Sequence, residues 1–138
     1  MSGDLSQLIR LARWQLNEKR RALADAWRVV DAIDQRLAAL KQQLESEAVV
    51  AMQTAAGAQS YGAFVSAVRD LREALLRDRH QAEAGVAEKT EAVRLAYEEL
   101  KRYELMQARR EQEVAMALAK REQAELDDIA QRGREAAS

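Results

Sequence analysis

The chain has no cysteine and no proline, and it is sparing with glycine and with rings. Only five glycines occur among 138 residues, and aromatic residues make up 4 %. Without cysteine there is no disulfide framework and no thiol chemistry, which suits the cytoplasm. Without proline nothing in the sequence forces a helix to break from within. Long hydrophobic runs are missing too. The longest, Ala48-Val49-Val50-Ala51-Met52, falls far short of the roughly 20 residues of a membrane span, so direct insertion into lipid is not expected. At the N-terminus Asp4, Arg10 and Arg13 interrupt the apolar core a signal peptide would need. Neither sign of charge prevails, with 22 basic against 23 acidic residues. A nucleic-acid partner, which requires a basic surface, is therefore not expected.

What remains is Ala, Leu, Glu, Arg and Gln, the composition of long helices. Bulky aromatic and β-branched residues are too few to fill a globular core, so an elongated all-α object is expected. Its organising stretch is a heptad repeat: Leu16, Leu23, Val30, Leu37 and Leu44 recur every seven residues. Lys19, Ala26, Ile33 and Leu40 fill the intermediate steps, and Ile9, Ala12 and Leu5 extend the register backwards. A seam this regular marks a coiled-coil helix that must bury its stripe against another.

Ser2 or Asp4 can cap this first helix, expected over about residues 4–54. The stretch most like a turn covers about residues 55–60. There Gly57 would supply a positive φ at the helix C-cap, and Ser60 would cap the next helix. The second helix is expected over about residues 61–132, roughly 105 Å at 1.5 Å per residue. It carries its own seam: Phe64, Val68, Leu71, Leu75, Asp78, Ala82, Val86, Lys89, Val93, Ala96, Leu100 and Tyr103. In an antiparallel hairpin the numbers of facing residues add to a constant. Leu44 with Leu71, Leu40 with Leu75 and Ile33 with Ala82 each give 115, and Leu23 with Val93 gives 116. Half of that sum falls at Gly57–Ala58, so the predicted fold is a single coiled-coil domain: two long antiparallel helices, the second longer.

Two irregularities stand out. Successive four-residue steps from Asp78 through Ala82 to Val86 form a stutter around Gly85, read either as a tolerated packing defect or as a hinge. Also, if Leu5 faces Arg110, residues after about 112 have no partner in the chain, although Val114, Leu118, Leu126 and Ile129 are apolar. A lone amphipathic helix is marginal in water, so this overhang either frays or is covered by another protein.

Catalysis is not expected. A two-helix hairpin has little concavity, His80 lies off the seam among Arg77, Arg79 and Gln81, and neither a phosphate loop nor a metal cluster is present. No cofactor or metal is implied. Interaction surfaces are the better candidates. Leu8, Leu11 and Trp14 lie on the outer face of the first helix, Trp14 flanked by Arg10 and Arg13. An outward tryptophan suits an interface anchor, and the alternative is an ordinary surface residue. At the turn end Tyr61, Phe64, Val65 and Val68 oppose Leu40, Leu44 and Val50, either closing the hairpin or leaving a partner site open.

Two local patterns carry a family resemblance. One is Tyr61-x-x-Phe64-Val65-x-x-Val68, opening the second helix. The other is Arg121-Glu122-Gln123-x-x-Leu126-Asp127-Asp128-Ile129-Ala130 near the C-terminus. With the two unequal proline-free helices, they resemble the FliJ family of flagellar export proteins, which is similar to the central stalk of rotary ATPases. The resemblance implies a non-enzymatic stalk that enters a hexameric export ATPase, reaches the cytoplasmic part of the transmembrane export gate and handles export chaperones. Carried over by motif, Leu40, Tyr61, Phe64, Val68 and Leu71 would meet the gate. Leu8, Leu11, Trp14, Arg121, Glu122, Gln123, Asp127 and Ile129 would meet the ATPase. Where the family often has aromatic residues near the tip of the first helix, this chain has Gln43 and Glu47. The location implied is cytoplasmic, at the periphery of the inner-membrane export apparatus, with a monomer when free. The alternative from the residues alone is a scaffold or tether that dimerises through its overhang.

Overall fold

The computed structural model describes the backbone over residues 2–137 and the side chains over residues 5–137. Two helices pack against each other: α1 (Ser2–Ala51) and α2 (Ala55–Ala137). The caps expected at Ser2 or Asp4 lie outside the described side chains. By its internal packing the chain divides into two compact units, one of Met1–Gln15 with Tyr97–Ser138, the other of Leu16–Ala96.

In the Leu16–Ala96 unit the heptad seam is the core. Leu16, Val30 and Ile33 of α1 are buried with Val68, Leu75 and Val86 of α2, and Val30 is the most enclosed at 2 % exposure. Leu23, Ala26, Leu37, Leu40 and Leu44 are half-buried at the predicted positions. Ala48 and Ala51 carry the α1 seam on to the turn. The charged seam positions Lys19, Asp78 and Lys89 stay exposed, since a lone charge gains nothing from leaving water. Across the stutter α2 runs on without a break, with Gly85 half-buried beside buried Val86.

The turn is shorter and earlier than the glycine-based expectation. It is Met52–Thr54, between the two helices. Thr54, not Ser60, caps α2: its Oγ1 accepts the Gly57 N–H at 2.9 Å, and its carbonyl accepts the Ala58 N–H at 3.1 Å. Gly57 sits inside the first turn of α2, and no glycine among the described residues has a positive φ. Its lack of a side chain serves a close approach instead. A Cβ there would lie 2.8 Å from Thr54 Oγ1 and 3.3 Å from the Ala51 Cα and carbonyl oxygen. Ser60 lies within α2 and donates back to the Ala56 and Gly57 carbonyls, at 3.2 Å each.

Leu71 departs from the predicted seam and is 51 % exposed. With the turn placed earlier, Leu44 shares a groove with Val68, nearly one helical turn before Leu71. The constant-sum pairing therefore holds for the middle of this unit but not near its tip.

In the other unit Leu5 and Ala12 of α1 and Leu100 of α2 are buried. Arg13 pairs with Glu104 across the helices at 3.8 Å. From Ala108 to Ala137 every described residue of α2 is exposed. The helix extends some residues past the predicted end near 132. Pairs one turn apart line it: Gln107 with Glu111 at 3.1 Å, Gln123 with Asp127 at 3.1 Å and Arg132 with Asp128 at 3.2 Å. Each such pair adds only about 0.2–0.5 kcal/mol to a helix.

Candidate functional site

The residues predicted to meet partners fall into two sets, one in each unit. In the Leu16–Ala96 unit, α1 contributes Leu40 and α2 contributes Tyr61, Phe64, Val68 and Leu71. Val68 is buried, while Leu40, Tyr61 and Phe64 are half-buried. The Tyr61 and Phe64 rings stack with centroids 6.4 Å apart. They share a hollow by the turn with Glu47, Val50, Ala51, Gly57 and Ser60. Leu71 lies outside that hollow, exposed.

Leu40 and Val68 belong to a second hollow. It is a groove of about 580 Å³ between the helices, lined also by Leu37, Leu44 and Leu76, with Lys41 and Arg72 as its charged residues. Leu40 and Val68, expected from the sequence to meet a partner, line this groove, whereas Leu76, Lys41 and Arg72 were not among the expected residues. The available signal was Leu76 itself, an apolar residue one step off the seam and 40 % exposed.

Further along this unit Arg79 bridges the helices. Its Nε donates to Asp34 Oδ1 at 2.6 Å, and it also pairs with Glu83 on its own helix. The Arg79 hydrogen bond holds the Asp34 carboxyl below its ordinary range, and the same bond pushes the Arg79 guanidinium up. Arg94 likewise lowers Glu91 by hydrogen bonding to it. These are exposed ion pairs, which fix register more than they add stability.

In the other unit Leu8, Leu11 and Trp14 are exposed together on α1, Trp14 by 60 %. Beside them Ser6, Ile9, Arg10, Arg13 and Gln107 line a shallow hollow. Arg121, Glu122, Gln123, Asp127 and Ile129 are all exposed on the uncovered stretch of α2. The structure does not bring these two groups together. Trp14 follows Arg13, which pairs with Glu104, and Arg121 lies 17 residues beyond Glu104, about 25 Å along a helix. Trp27, one of the two tryptophans, flanks the seam half exposed.

Among the described residues no group of three or more histidine, cysteine or carboxylate side chains could hold a metal ion. No described helix is long and apolar enough to cross a membrane. His80 is exposed.

A family model described as "Flagellar FliJ protein" matches residues 1–135, essentially the whole chain. The chain belongs to the FliJ family. Membership associates it with the flagellar export apparatus. Comparison with curated proteins and with solved structures gave no significant match. The FliJ assignment therefore rests on the family pattern, and the helix pair has the architecture that the resemblance implied.

Proposed function

We propose that this FliJ-family chain is the cytoplasmic central stalk of the flagellar export ATPase. The observation that carries the reading is the uncovered stretch of α2. Thirty residues, from Ala108 to Ala137, stay helical with every side chain exposed, Val114, Leu118, Leu126 and Ile129 included. A single helix carrying apolar side chains in water gains most from a partner that surrounds it, as the pore of a hexameric ATPase would. Leu8, Leu11 and Trp14 add an apolar grip on α1, and Arg121, Glu122, Gln123 and Asp127 offer polar contacts on α2. The tip residues Leu40, Tyr61, Phe64, Val68 and Leu71 then face the cytoplasmic part of the export gate at the inner membrane. Empty export chaperones are handled by the assembled stalk. Catalysis belongs to the ATPase, and the chain contributes ring assembly and coupling.

Adding the protein to a purified flagellar export ATPase is expected to raise ring formation and hydrolysis. Leu11→Ala with Trp14→Ala should lower that stimulation while circular dichroism stays unchanged, since both side chains are exposed. Intact protein that gives no stimulation would remove the stalk reading. The same uncovered residues also suit a tether that dimerises through its overhang. Light scattering separates the two, with a monomer expected for the stalk and a stable micromolar dimer for the tether.

A further inference from the structure

We propose that residues 85–91 of α2 form a hinge, a place where α2 parts from α1 and flexes while the rest of the Leu16–Ala96 unit stays zipped. Four features coincide in that segment. The seam steps from Asp78 to Ala82 and from Ala82 to Val86 are both four residues long, and such a stutter unwinds the supercoil locally. After Val86 the seam loses its hold. Ala87, Glu88, Lys89, Thr90 and Glu91 are all exposed, and the next seam residue, Val93, is only half-buried. A lysine stands where the repeat calls for an apolar side chain. Gly85 has nothing within 4 Å of an added Cβ, so close packing does not require a glycine there. What it brings is backbone freedom, which weighs about fivefold against the helix relative to alanine. Finally, the Thr90 hydroxyl donates to the Val86 carbonyl at 2.8 Å. A hydroxyl bonded back four residues competes with the helix's own amide for that carbonyl and bends the helix.

The weakness is confined to one helix. Between Asp4 and Ala51 α1 has neither glycine nor proline, so it serves as a splint beside the yielding segment. Toward the turn, buried Val86 and the Arg79–Asp34 bond at 2.6 Å hold α2 to α1. Exposure alone does not make a hinge. Arg69–Glu73 are exposed over an equal length, but that run contains neither glycine, serine nor threonine. A long helix yields most easily where a few residues open at low free energy while their neighbours stay packed. The hinge belongs to the chain by itself and needs no partner, so it stands apart from the stalk reading.

Hydrogen exchange on the full native chain, followed amide by amide by NMR in water and in low denaturant, tests this. After correction for intrinsic rates, the amides of Val86–Glu91 are expected to exchange faster than those of Arg69–Glu73 by about fivefold or more. Their exchange should be nearly independent of low denaturant, because a local opening exposes little surface. Gly85→Ala should slow exchange at Val86–Glu91 by about fivefold, and Thr90→Ala should slow it further. Equal rates in the two exposed runs would overturn the proposal, since exposure would then account for both. So would exchange at Val86–Glu91 that rises with denaturant as steeply as at buried Leu75, or rates there that Gly85→Ala leaves unchanged.

Discussion

The middle of α2 and its last thirty residues are built from the same few residue types, yet they meet opposite fates. In the middle of α2 the seam residues Leu75 and Val86 are buried against α1. Between Val114 and Ile129 the apolar side chains stand in solvent, with Ile129 64 % exposed. Composition and helix propensity barely distinguish the two stretches. What separates them is whether a facing stripe exists, since most helical stability in proteins comes from a packed face. The uncovered stretch shows where this chain's own packing ends.

The largest expected effect breaks that contrast directly. Leu75→Ala should cost about 2–3 kcal/mol of unfolding free energy in a chemical melt, because it empties a buried seam position. Leu118→Ala, the same chemical change, should fall within about 0.5 kcal/mol of the parent. Equal losses would mean that the overhang is packed in solution.

A second comparison sharpens the picture at two glycines. At Gly85 nothing lies within 4 Å of an added Cβ. Gly85→Ala should therefore stabilise the helix by about 1 kcal/mol through propensity alone. At Gly57 the same methyl would press on Thr54 Oγ1 and the Ala51 backbone. Gly57→Ala should lose about 1 kcal/mol despite the better helix former. Opposite signs in paired thermal melts are the expected outcome, and a gain at both sites would show that the turn is looser than described.

The smallest effect is electrostatic. Arg79 lowers the Asp34 carboxyl in the folded state, so the pair contributes at pH values above the ordinary carboxylate value of 3.8. That contribution disappears as pH falls through the lowered folded value. The melting difference between the parent and Asp34→Asn should thus be present near about pH 6 and shrink under strong acid. A difference that grows on acidification would have the wrong sign for this pair.

Much of the fold was legible because burial here follows a period. Leu16, Val30, Ile33, Val68, Leu75 and Val86 were all readable from heptad spacing, and all are buried. The turn was misplaced because Gly57 has two possible uses. A glycine that grants a positive φ and a glycine that permits close packing look alike in sequence, and only the contacts with Ala51 and Thr54 tell them apart. Leu71, which heptad spacing put in the seam, is exposed because near the tip Leu44 lies with Val68 instead. The exposed face of Leu8, Leu11 and Trp14 was legible from the same period. The Leu76 groove was not, because it depends on how two helices diverge rather than on either repeat.

The fold-back at Met52–Thr54 underlies everything else, and a distance across the Leu16–Ala96 unit tests it most directly. Spin labels on cysteines replacing the exposed residues Asp25 and Glu91 should lie within about 30 Å, given helix axes about 8–10 Å apart and flexible label arms. A separation approaching about 100 Å, the span of 66 residues in one unbroken helix, would contradict the account.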